Sequence, residues 1–170
     1  MNKIATHNSG TGERSRNWIS RLLTPFSCCQ KKTLLEQYND GCRLFDLRVN
    51  KSERLAHGLW ESGKDAFDAL NELNNVSDGK TYILLTMEGK YDISLHESFH
   101  DWRWLFTRLQ FVAFCVKKPK WKTIETFITL EWQKEFSSCT WRKWIPFPKL
   151  WATLKKTEFN DNVFTMVDYL

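Results

Sequence analysis

An α/β fold of parallel β/α units is the class this sequence predicts, and three observations carry it. Short apolar stretches of strand character alternate with amphipathic stretches of helical period along most of the chain. One of them, "KTYILLTMEG" at 80–89, is apolar on both faces, as a strand buried between layers must be. Hydrophobic residues make up 42% of the 170, against seven glycines and four prolines, which suits one globular domain over 1–170 rather than a disordered chain.

The elements follow in order. Lys3 to Thr6, with Ile4 and Ala5, reads as a first strand entering a Gly/Ser/Thr cluster. From Asn8 to Gln30 the chain is polar and broken by glycine and Pro25, a long loop with one helical turn at Trp18 to Leu23. "KKTLLEQYNDG" spaces Leu34, Leu35 and Tyr38 at helical period and stops at Gly41. "CRLFDLRVN" is a strand in which Leu44, Asp46 and Arg48 share one face, and "RLAHG" is a second brief extended piece. "KDAFDALNELNNV" is an amphipathic helix leading to the buried strand. Residues 94–116 look helical, and the stretch from Thr123 to Glu135 is ambiguous. "PFPKLWATLKKTE" predicts a last helix with Pro148 in its first turn, and "NVFTMVDYL" a terminal strand.

Composition narrows the setting. No run reaches the ~18 apolar residues of a membrane span. The start lacks the apolar region of a secretory signal, and the five cysteines form neither a disulfide framework nor a paired zinc-ribbon spacing. The expectation is a reducing, cytoplasmic setting with at most peripheral membrane contact. A formal charge of +5 favours anionic partners. Seven of the nine tryptophans follow residue 100, and in "CTWRKWIPFPKLW" they interleave with Arg142, Lys143 and Lys149. That mixture suits a membrane–water interface, so Trp141 to Trp151 is the expected lipid contact, with core packing as its competitor. Nucleic acid is not an expected partner, since only charge and aromatics speak for it.

The stretch "ATHNSGTGE" near the start holds a histidine that a simple turn does not need. His57, followed by Gly58, ends the extended piece nine residues past Arg48. In parallel β/α sheets the C-terminal strand ends converge on one rim, and His7, Asp46, Arg48 and His57 all sit at or near such ends. Two imidazoles with a guanidinium make an acid–base pair with a phosphate-neutralising charge. A lone strand-end histidine is commonly structural and a strand Asp-x-Arg is commonly an ion pair; their joint appearance is what points to chemistry.

These residues resemble a family. His7-Asn8-Ser9-Gly10-Thr11, then Cys29-Gln30, then "EQYNDGCRLFDLRVN", then His57-Gly58 are similar to the X region of phosphatidylinositol-specific phospholipase C. The likeness is greatest to its compact, metal-independent branch of bacterial and trypanosomal type, whose pattern runs G-[TA]-H-[DN]-[SA]-G-T, then G-x-R-x-x-D-x-R, then His-Gly. It is dense from Thr6 to Gly58 and loose beyond. The resemblance implies a trimmed or incomplete TIM-type β/α barrel, because an eight-unit barrel averages about 250 residues. It also implies cleavage of phosphatidylinositol or a glycosylated relative to diacylglycerol and an inositol cyclic phosphate. His7 would be general base, His57 general acid, Arg48 the phosphate ligand, Asp46 the residue fixing their geometry, and Asp168 the carboxylate orienting His7. Asn8, Glu88 and Lys90 would contact substrate. The partners implied are a phospholipid membrane surface and an inositol phospholipid.

Asn8 stands where bacterial members carry Asp, though the trypanosomal type has Asn. The calcium-dependent branch also shows His-Asn, and Glu88 resembles its metal-ligating glutamate. That branch needs an acidic pair where this chain has Asp46-x-Arg48, so the fixed guanidinium takes the place of a cation and no metal is expected. Two other readings remain. A non-catalytic headgroup- or membrane-binding relative would keep the fold without turnover. His96-Glu97-Ser98-Phe99-His100 fits H-E-x-x-H, the helix motif of zinc peptidases, with Glu125 and Glu131 as the nearby candidates for a third ligand.

Overall fold

The structure, a computed structural model, describes residues 3–27, 29–130, 132–134 and 164–167. Its elements in chain order are β1 (Lys3–Thr6), a 3₁₀ turn (Ser9–Gly12), α1 (Trp18–Ser27), α2 (Leu34–Asn39), β2 (Cys42–Val49), β3 (Arg54–His57) and β4 (Trp60–Asp65). Then come α3 (Ala66–Val76), β5 (Thr81–Met87), α4 (Ile93–Leu105), β6 (Leu109–Val116), β7 (Lys122–Thr126), β8 (Trp132–Lys134) and β9 (Phe164–Val167). One sheet runs β7-β6-β5-β2-β1-β9-β8, and it is open among the described residues. Neighbours from β6 through β8 pair in parallel, while β7 lies antiparallel on β6. The β3–β4 hairpin hangs from the end of β2. This is a mixed α/β architecture with a mainly parallel sheet, a partial β/α barrel.

Local chemistry accounts for the helices. Thr33 caps α2 in a capping box with Glu36, satisfying two end amides reciprocally. Asp92 caps α4 by accepting from the Leu95 amide. Two expectations change. The stretch 94–116 is not one helix: α4 stops at Leu105, and "LQFVAFCV" continues as the parallel strand β6 beside β5. Its aromatic and β-branched residues suit a strand buried on both faces, where helical and strand periods look alike. The loop from Asn8 to Gln30 carries a ten-residue helix, α1, rather than a single turn. The predicted last helix and the Trp141–Trp151 segment lie outside the described residues.

Register sorts the side chains onto two faces. Phe45, Leu47, Val49, Ile83, Leu85 and Phe114 pack with Leu70, Leu73, Phe99 and Trp102 of α3 and α4 in the main core. Complete burial of each such side chain contributes about 1.5–3 kcal/mol. On the other face Leu44, Asp46 and Arg48 lie beside Tyr82, Leu84 and Thr86, and the latter two lie beside Ala113 and Cys115. The lower part of this inner face is apolar, with Ala5, Leu44, Phe164 and Met166 clustered. Polarity begins at the C-terminal strand ends, and that step sets the site. No helix among the described residues is long and apolar enough to cross a membrane.

Candidate active site

β1 places His7 one residue past Thr6, which pairs with Phe45 on one side and Val167 on the other. Asn8 turns the chain with a left-handed backbone at φ 47°. Hydroxyls then lock the loop: Ser9 Oγ donates to the Thr6 carbonyl at 2.7 Å and Thr11 Oγ1 to the Asn8 carbonyl at 2.8 Å. Thr11 Oγ1 in turn accepts the Cys29 amide at 2.8 Å, and Gln30 Nε2 donates to the His7 carbonyl at 3.0 Å. A Cβ on Gly12 would stand 1.8 Å from the Lys32 carbonyl oxygen, so only glycine lets the loop close there. The composition of "HNSGTG" thus serves to hold one imidazole.

That imidazole meets the polar end of β2. Arg48 donates from its guanidinium to His7 Nε2 at 2.9 Å, and Asp46 Oδ2 stands 3.7 Å from the same nitrogen. A guanidinium can only donate, so His7 Nε2 is an acceptor, the form a general base needs. Asp46 also accepts the Asn8 amide at 3.3 Å. The other guanidinium nitrogen faces Glu88 Oε2 at 3.7 Å, and the Trp121 ring covers the group at 5.4 Å. Glu88 joins Arg48 to the second histidine: it accepts the Gly58 amide at 2.6 Å and pairs with Lys117.

His57 gives its Nδ1 to the Ser27 carbonyl at 2.6 Å, which puts the ring proton there and leaves Nε2 as the free position. Burial lowers its pKa from 6.5 to about 4, helped by Arg48 and Lys117 and opposed by the Ser27 carbonyl and Glu88. At neutral pH His57 is therefore uncharged. Four buried polar atoms at this rim lack a hydrogen-bond partner: Asp46 Oδ1, Arg48 Nε, Thr86 Oγ1 and Glu88 Oε2. Asn8 Oδ1 is also unpaired; turning that amide by 180° sets the oxygen against His7 Nδ1 and Cys29 but leaves Nδ2 unpaired in its place. Unpaired buried atoms are uncommon in folded proteins, and this many gathered at one rim mark a place where another polar group is expected.

His7, Asn8, Asp46, Arg48 and Glu88 thus stand together, and His57 joins them through Glu88 and Gly58. Asp168 lies outside the described residues; β9 runs parallel to β1 up to the Val167–Thr6 pair. Lys90 is exposed, and the lysine that reaches Glu88 is Lys117. Lys117 and Trp121 went unnoticed in the sequence because no local motif surrounds them. For a divalent cation, Asp46 and Glu88 offer oxygens, but the Arg48 guanidinium fills the space between His7 and Glu88 with positive charge. This donor set fits an anion better than a metal ion.

The chain is an open, partial β/α barrel with its charged groups gathered at the C-terminal strand ends. Among solved structures, the chain is similar to the phosphatidylinositol-specific phospholipase C from Listeria monocytogenes, with a TM-score of 0.54 and 12% identity. The match covers 78% of this chain and 60% of the Listeria chain. At that identity the likeness is one of fold. No protein-family model and no curated protein sequence matches the chain.

Proposed function

We propose that this protein is a phosphodiesterase of the phosphatidylinositol-specific phospholipase C type, acting on an inositol phospholipid at a membrane surface. The observation that carries the reading is the direct Arg48–His7 contact, a guanidinium held 2.9 Å from an acceptor imidazole. In this mechanism the inositol 2-hydroxyl replaces Arg48 as the donor to His7 Nε2, and the released guanidinium turns to the phosphate oxygens. The hydroxyl oxygen attacks phosphorus while its proton passes to His7. The bond from phosphorus to the diacylglycerol oxygen breaks, and His57 delivers a proton to that oxygen. The products are diacylglycerol and an inositol 1,2-cyclic phosphate. Asp46 positions His7 and the Asn8 turn, and Asp168 is the proposed carboxylate behind His7.

The unpaired atoms support a phosphorylated polyol as ligand. Asp46 Oδ1, Thr86 Oγ1 and Glu88 Oε2 can accept from hydroxyls, and Arg48 Nε can donate to a phosphate oxygen. Because His57 is neutral in the free protein, it gains its proton in the complex, where the phosphodiester charge favours the imidazolium. The test is incubation of the purified chain with phosphatidylinositol vesicles, followed by phosphorus NMR. A cyclic phosphate signal is expected, falling about 10²–10⁴-fold in His7→Ala and in His57→Ala. Vesicle binding with no cyclic product would instead assign a headgroup-binding relative of the same fold.

A further inference from the structure

On the opposite, helix-covered face of the sheet, a second cluster stands apart from the rim. Helical spacing puts His96 and His100 one turn apart on α4, and β7 brings Glu125 up to both. Glu125 Oε1 lies 2.8 Å from His96 Nε2 and 3.0 Å from His100 Nε2, and the three ligand atoms fall within 4.8 Å of one another. His100 bonds to the carboxylate. His96 Nε2 is buried without a hydrogen bond although the oxygen is 2.8 Å away. Two nitrogens thus face one carboxylate oxygen, and only the His100 nitrogen is hydrogen-bonded to it.

We propose that His96, His100 and Glu125 bind a divalent transition metal ion of the zinc class. Ligand atoms around tetrahedral zinc, at about 2.0–2.2 Å from the ion, stand about 3.3 Å apart, so the ion is admitted by small turns of the two imidazoles together with a shift of Glu125. Two imidazoles and a carboxylate are the borderline N/O set that such metals prefer to calcium or magnesium. The Tyr91 hydroxyl contacts His96 Nδ1 at 2.9 Å and holds the ring with Nε2 toward the site, as outer partners of metal-bound histidines do. Phe114 and Phe127 wall the cluster, with ring centroids 5.2 and 6.3 Å from His100, and limit the angles the rings can take. Three protein ligands leave a position for water. The ion would tie α4 to the edge of the sheet.

The test titrates the metal-stripped full chain with zinc and, separately, cobalt. One equivalent is expected, with visible cobalt bands, no thiolate charge-transfer band, and a higher melting temperature with zinc. His100→Ala and Glu125→Ala should weaken uptake at least tenfold. Tyr91→Phe, which leaves the three ligands in place, should weaken it about 10–100-fold. Failure to take up either metal overturns the proposal, as does uptake unchanged in a folded His96→Ala/His100→Ala double variant. A thiolate charge-transfer band would move the site to the cysteines and equally overturn it.

Discussion

Held between Ser27 and the Arg48–Glu88 pair, His57 folds in its neutral form, and unfolding returns it to water. Its pKa rises from about 4 to 6.5 on unfolding, so between those values the unfolded chain holds the proton and the folded chain does not. Stability then rises with pH through this window, is complete above 6.5 and is lost as pH falls to about 4. The lowering corresponds to about 3 kcal/mol. Urea melts of the wild type and His57→Asn at several pH values isolate this contribution, and the wild type should lose about 3 kcal/mol more on acidification. Equal losses would mean that His57 is already charged in the folded state. At this scale the sequence is legible where a motif holds residues in order: His7, Asp46, Arg48 and His57 belong to one such series, and the structure gathers them at one rim. The bridging position of Glu88 is not legible there, because Lys117 and Gly58 reach it from about 30 residues away on either side.

Among the elements, α1 presents a surface that the packing does not use. Trp18, Ile19 and Leu22 are 70%, 51% and 64% exposed on neighbouring positions of one helical side, with Arg14, Arg16 and Arg21 exposed beside them. The carbonyl of Ser27, last residue of the same helix, holds His57, so this apolar patch belongs to the element that flanks the proposed site. Insertion of such side chains in a lipid interface is favourable by up to about 1.5–3 kcal/mol each. Trp18→Ala/Leu22→Ala should therefore weaken binding to phosphatidylinositol vesicles at least tenfold without lowering the melting temperature. Unchanged binding would remove α1 from the interface and leave 141–151 as the segment to test next. Elements were less legible than residues. α1 looked like a turn because Gly, Ser and Thr precede it and Pro25 falls within it. β4 went unseen because "WESGKD" carries four polar residues and a mid-strand glycine, a composition that strand propensity disfavours.

At the scale of the whole molecule, the two faces of the sheet carry two different clusters of polar side chains. The inner face changes from apolar to charged as the strands reach their C-terminal ends, and there Arg48 supplies positive charge covalently. The outer face offers convergent nitrogens and oxygen with no cationic side chain among the three ligands. Turnover at the rim should accordingly be independent of divalent metal, whatever the outer cluster binds. Adding excess chelator to the phosphatidylinositol assay should leave the rate of cyclic phosphate formation within about twofold of its starting value. A chelator-sensitive rate restored by calcium would mean that Arg48 does not replace a cation, with Asn8, Asp46 and Glu88 then the ligands to test. A rate restored by zinc alone would tie turnover to His96, His100 and Glu125 across the sheet. Arg48→Ala sharpens the comparison, because removing a fixed charge from a site that needs one should cost about 10²–10³-fold in rate, with no rescue by calcium.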